Sequence, residues 1–100
     1  MIRHIVLFTL DGFTDESAKT AHLNAIKTAL EALPAEISAL QSLHVGINCN
    51  PAEAPAFCLV AEVADMNALK AYATHPKHQK IVKELIAPYM RERRAIDYQS

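Results

Sequence analysis

Ile2-Arg3-His4-Ile5-Val6-Leu7-Phe8-Thr9-Leu10 is the stretch whose reading decides the fold. It is rich in β-branched and aromatic residues, and it is apolar in both parities. Ile2, His4, Val6, Phe8 and Leu10 point one way; Arg3, Ile5, Leu7 and Thr9 point the other. A strand that is apolar on both faces has to be covered on both. Ala56 to Val63 repeats the pattern, with Phe57, Leu59, Ala61 and Val63 on one face and Cys58 and Val60 on the other. Two further segments alternate as edge strands do. Gln41 to Asn48 sets Leu43, Val45 and Ile47 against Ser42, His44 and Gly46, and Arg91 to Gln99 places Ile96 and Tyr98 together.

The connections are helical. Asp11-Gly12 is turn chemistry, Thr14 reads as an N-cap, and Asp15 and Glu16 sit in the first turn, where the helix dipole favours anions. Leu23, Ile26, Leu30 and Leu33 then recur at helical spacing until Pro34. Asp65 caps a short helix carrying Met66, Leu69 and Ala73; Pro76 breaks it and opens another that runs to about Ala87. The order β-α-β-β-α-α-β is the ferredoxin-like α+β pattern, a four-stranded antiparallel or mixed sheet with its first and third strands in the middle. One domain spans residues 1–100. Helices cover only one sheet face, so Ile5, Leu7, Cys58 and Val60 need a second lid. A second copy of the sheet is the simplest one, giving a homodimer packed sheet on sheet.

Composition narrows the function. Ten Lys and Arg against eleven Asp and Glu argue against a nucleic-acid binder. No stretch reaches the roughly 20 apolar residues that would cross a bilayer, so no membrane partner is expected. Met1 opens no signal peptide, and Cys49 and Cys58 read as free thiols in a reducing cytoplasm. The cysteines form no C-x-x-C, and two glycines cannot build a phosphate loop; no metal or cofactor is expected. Charge is uneven. Seven of the ten cations lie between Lys70 and Arg94, opposed there only by Glu84 and Glu92. That is either a solvated face or a field attracting an anionic ligand.

Chemistry concentrates in Tyr72-Ala73-Thr74-His75-Pro76-Lys77-His78. Tyr72 lies at the edge of one apolar stripe, beside Leu69. His78 lies within the next, three and four residues before Ile81 and Val82. His4 shares the face of Val6 and Phe8. An inward histidine is as a rule a satisfied core residue, and spacing alone leaves that reading open. His75, just before a proline at a helix break, suits a cap position.

Met1 to Phe8, Leu43-His44-Val45-Gly46, the Tyr72 to His78 string and Asp97-Tyr98 together resemble the stress-responsive A/B barrel (Dabb) family of the dimeric α/β-barrel superfamily. The resemblance covers essentially the whole chain, and its specific part is the H-P-x-H string with its upstream tyrosine. It implies a ferredoxin-like protomer in a homodimeric barrel. It also implies kinship with plant polyketide cyclases of the olivetolic acid cyclase type, which close a poly-β-keto chain by aldol chemistry without metal or cofactor. Their catalytic Tyr and His fall on Tyr72 and His78, and a pocket histidine falls on His4. The implied mechanism has His78 as base, Tyr72 as donor to the enolate oxygen and His75 beside the substrate. An apolar pocket of Val6, Phe8, Ile26 and Leu59 would hold a small hydrophobic tail. The chain departs from those cyclases where Phe57 replaces a histidine and the first helix is aliphatic. Haem-degrading relatives use a Trp, which this chain lacks. The alternative to an enzyme is a non-catalytic ligand-binding or stress-associated homodimer.

Overall fold

A computed structural model describes residues 1–100. Strand β1 (Ile2–Leu10) leads into helix α1 (Glu16–Glu31), then β2 (Leu40–Ile47) and β3 (Phe57–Val63), helices α2 (Met66–Ala73) and α3 (Pro76–Ile81), and β4 (Met90–Gln99). The sheet order is β2-β3-β1-β4, and every pairing is antiparallel. The two strands apolar in both parities are the two central ones.

Register sorts the side chains into rows. On the helix-covered face the rows are Leu43–Ala61–His4–Asp97, Val45–Leu59–Val6–Ala95 and Ile47–Phe57–Phe8–Arg93. Twenty buried apolar residues form one core here, with Leu23, Ile26 and Leu30 supplied by α1. The bare face carries His44–Val60–Ile5–Ile96 and Gly46–Cys58–Leu7–Arg94. Leu7 is 41% and Ile96 60% exposed there.

Local chemistry fixes the ends. Asp15, not Thr14, is the N-cap of α1: it is the residue with extended backbone, and its carboxylate accepts the Ala18 N–H at 2.7 Å. Asp65 caps α2 in the same way through Ala68. The expected helix from Pro76 to Ala87 is not continuous. After Ile81 the chain widens into a π turn (Val82–Ile86) and tightens into a 3₁₀ turn around Pro88. At the β2 edge, the Val45 N–H and C=O are taken by Glu31 and Lys27, at 2.9 and 2.6 Å. Exposed edge groups otherwise invite another strand. Lys27 also holds the Glu31 carboxyl below its ordinary value.

Candidate functional site

Helix α2 ends at Ala73 and α3 begins at Pro76, so Tyr72 and His78 flank a corner. His75 makes that corner: its backbone is extended and its Nδ1 accepts the Lys77 N–H at 3.1 Å. The ring expected beside the substrate is therefore committed on one nitrogen to capping α3. Tyr72 is not at the edge of its helix stripe but at its deepest point, 1% exposed. It faces the sheet, over His4 of β1.

The Tyr72 and His78 rings meet with centroids 4.4 Å apart. Below them His4 presents its ring edge to Tyr72 at 6.4 Å and bonds through Nδ1 to the Asp97 carboxylate on β4. Three of the residues singled out in the sequence thus converge from β1, α2 and α3. Asp97 completes the group and was not foreseen as a site residue. Its contact spans 93 residues, and only the β1–β4 register puts it opposite His4.

The hydrogen bonds decide where the protons are. His78 Nδ1 lies 3.0 Å from the Ala73 carbonyl oxygen, which can only accept. Nδ1 therefore carries the proton, and Nε2 of the neutral ring keeps its lone pair. Burial lowers the His78 pKa, favouring that neutral ring; His4, Arg93 and His75 push the same way, against the Ala73 bond. Burial raises the Tyr72 pKa well above its ordinary value, against the pull of Arg93, so the phenol stays a proton donor. That hydroxyl has no hydrogen-bond partner. The other buried side-chain polar atom without one is Arg3 Nε on the bare face, whose guanidinium already reaches Tyr98 and Glu62.

The residues expected to line an apolar pocket lie in the core. Val6, Phe8, Ile26 and Leu59 are 1%, 6%, 0% and 3% exposed and close on one another as core. The physical reason is their size: large side chains from α1 and two central strands interdigitate there. Two clefts lie elsewhere. One, of about 460 Å³, runs between α1 and the loop carrying Asn48 and Pro55; the other, of about 430 Å³, opens on the bare face beside Leu7 and Cys58. No three His, Cys, Asp or Glu side chains are grouped as metal ligands, and both cysteines are free. No helix is long and apolar enough to cross a membrane.

An antiparallel sheet in the order β2-β3-β1-β4, helices on one face and a Tyr–His pair over β1 define a ferredoxin-like protein of the A/B barrel class. The profile of the stress responsive A/B barrel domain family, Dabb, matches residues 2–100, and the chain belongs to that family. A dimeric ferredoxin-like protein of unknown function from Bacteroides fragilis NCTC 9343 is 37% identical, with a TM-score of 0.91 over 99% of this chain and 95% of that one. A Dabb family protein from Mesorhizobium loti is 26% identical, with a TM-score of 0.74 over 99% and 95%. A hydroxynitrile lyase from Passiflora edulis shares the fold at 14% identity and a TM-score of 0.76, over 97% of this chain and 90% of that one. No curated protein matches the sequence.

Proposed function

We propose that the chain is a cofactor-independent small-molecule enzyme performing acid–base chemistry on a β-keto or aromatic substrate, of the cyclase or isomerase kind. The observation that carries this is the pairing of a buried, unpartnered Tyr72 hydroxyl with a His78 whose Nδ1–H is already spent. An unsatisfied buried hydroxyl costs roughly 1–3 kcal/mol, a cost that a substrate oxygen would remove. Nε2 of His78 takes the proton from a carbon between two carbonyls. The electron pair moves onto a carbonyl oxygen, and the Tyr72 O–H donates to that enolate. His4, fixed by Asp97, holds the ring of Tyr72 from below.

The working unit in this reading is a homodimer in a reducing cytoplasm. The bare face exposes Leu7 and Ile96, and soluble monomers rarely leave such a patch open. A clean 11 kDa species by light scattering at micromolar concentration would sink the dimer.

The acid–base reading is tested by incubating the protein in D₂O with a panel of 1,3-dicarbonyl compounds. Deuterium entry at the central carbon is followed by NMR. Exchange should be accelerated by the natural chain and lost in His78→Ala and Tyr72→Phe; equal rates in all three overturn it. One observation favours a second reading, a ligand-binding or stress-associated dimer without turnover: neither of these two clefts is lined by Tyr72 or His78. Saturable binding without exchange would select it.

A further inference from the structure

The bare face of the sheet consists of rows of unlike character. The row Ser42–Glu62–Arg3–Tyr98 is polar: Arg3 pairs with Glu62 at 3.7 Å, Ser42 Oγ donates to the same carboxylate at 3.5 Å, and Arg3 reaches the Tyr98 hydroxyl. The next row sets Val60 and Ile5 between His44 on β2 and Ile96 on β4. Ile96 projects there, 60% exposed. The row after it, Gly46–Cys58–Leu7–Arg94, is hollow toward β2. Gly46 has no side chain, Cys58 Sγ lies 3.1 Å from where a Cβ would stand, and the cleft of about 430 Å³ opens beside them.

A second copy laid on this face is related to the first by a twofold axis between the two sheets. An axis along the strands puts Ile96 on the partner's His44. An axis across them puts Ile96 on the partner's Ile96 and Leu7 on the partner's Arg3. An axis at about 45°, the tilt that strands take in a barrel, does neither. Strands lie about 4.8 Å apart, and alternate residues about 6.7 Å apart along a strand. Ile96 therefore stands about 7 Å to one side of the sheet's midline, in the middle row, while Leu7 and Cys58 straddle that midline about 7 Å beyond the row. The two offsets match, so a diagonal axis exchanges them: Ile96 falls between the partner's Leu7 and the partner's Cys58. The same rotation sets Tyr98 over the partner's Gly46, and His44 over the partner's Arg3 and the partner's Glu62. The opposite diagonal would set Ile96 on that ion pair and His44 on the apolar hollow. Only one of the four orientations joins apolar to apolar and polar to polar. Arg94 falls on the axis itself, at the open rim, where it is 78% exposed and paired with Glu92.

We propose that the cleft beside Leu7 and Cys58 is a socket for the partner's Ile96, in a homodimer whose strands cross nearly at right angles. This rests on the homodimeric reading and not on the acid–base one. Symmetry makes two such sockets, each filled by the other copy. Gly46 leaves the hollow open, Cys58 and Leu7 wall it, and Ile96 is the exposed branched side chain that enters it. His44 against the partner's Glu62 fixes the direction of crossing, because the wrong diagonal sets polar groups against apolar surface. The cleft is thereby taken by the chain itself. The Tyr72–His78 pair, on the opposite face of the sheet, is left as the place for a ligand.

Oxidative cross-linking tests the socket. Cys49→Ser leaves Cys58 as the sole thiol, and Ile96→Cys then adds one at the projecting position. A disulfide forms only where the two Cα atoms come within about 7 Å. Mild oxidation with copper phenanthroline should convert most of the Cys49→Ser/Ile96→Cys protein to a covalent dimer on a non-reducing gel. Cys49→Ser alone should not cross-link, and adding Cys58→Ser should abolish the covalent dimer. Cross-linking that survives Cys58→Ser, or a non-covalent dimer that fails to cross-link, overturns the socket and leaves the homodimer standing. Sedimentation equilibrium supplies a second measurement. Gly46→Leu, which fills the socket, and Ile96→Ala, which empties it, should each weaken the dimer by about tenfold or more. Unchanged dissociation constants leave the cleft to another occupant and overturn the socket. A natural chain that sediments as a monomer removes the homodimer and the socket together.

Discussion

Two clusters in this molecule set a histidine against a tyrosine, and they differ in what is left over. In the first, Phe13, His22 and Tyr89 stack at the β1–α1 corner, with centroids 4.3 Å apart for Phe13–Tyr89 and 4.6 Å for His22–Tyr89. His22 Nε2–H donates to the Leu85 carbonyl at 2.6 Å, within the π turn, and the Tyr89 carbonyl accepts the Asp11 N–H at 2.9 Å. No buried polar side-chain atom there lacks a partner. In the second cluster, His4, Tyr72 and His78, the histidines are anchored on one nitrogen each, but the Tyr72 hydroxyl is left without a partner. A saturated cluster holds structure together; an unsaturated one is strained toward a ligand. The first is a clasp, the second a site.

The largest separation expected between them is in turnover. His78→Ala should lower deuterium exchange by about 10²-fold or more, the usual size of a general-base contribution, while its melting temperature falls little. Tyr89→Ala should do the reverse. It removes a stacked ring from a half-buried clasp, at a cost of about 2 kcal/mol, or roughly 8–16 °C in Tm for a domain of this size. Differential scanning calorimetry beside the exchange assay reads both. If Tyr89→Ala abolished exchange while leaving Tm unchanged, the assignment of clasp and site would be inverted.

A smaller effect sharpens the contrast. Tyr72→Phe deletes only the unpartnered hydroxyl, so it should raise stability by about 1 kcal/mol, some 4–8 °C in Tm, while removing exchange activity. Stability traded against function at one atom is what distinguishes a site from a clasp. A fall in Tm on this substitution would mean that the hydroxyl is bonded in solution, and that the second cluster is saturated too.

How much of this the sequence carried depends on how local each feature is. The apolar parities of β1 and β3 showed that both faces are covered, because a strand's two faces are written in its own residues, and they agree with the central positions that the topology assigns. The caps at Asp65 and His75 are equally local and were readable. The Asp15 cap was misplaced by one residue because Thr14 offers the same chemistry, and only the backbone decides between them. The π turn was invisible because Ile81 to Ile86 keeps helical spacing; its wide turn leaves the Leu85 carbonyl to His22, 63 residues away. The site divides in the same way. Tyr72 and His78 announce themselves by spacing. Asp97 belongs to it only through pairing with β1, and alternation within β4 singled out Ile96 and Tyr98 instead. The pocket residues were legible only in direction: Val6, Phe8, Ile26 and Leu59 do face the core, but direction does not say whether space remains between them.

The smallest expected difference is in pH dependence, and it follows from the depressed pKa of His78. In the folded chain this ring holds its proton less tightly than the ordinary 6.5, whereas in the unfolded chain it returns to that value. The unfolded state therefore binds more protons between the two, so stability contributed by the neutral ring is present above 6.5 and is lost as pH falls through the lower folded value. The same shift moves the base: the acid limb of the exchange rate should lie below pH 6.5, because Nε2 stays unprotonated there. Removing the Arg93 charge with Arg93→Gln should move that limb upward, since one of the cations disfavouring imidazolium is gone. His22→Gln, in the clasp, should leave the limb where it is. A limb at or above 6.5 in the natural chain, or one that moves with His22 and not with Arg93, would show that the titrating group is not His78 and would break the distinction between the clusters at its most sensitive point.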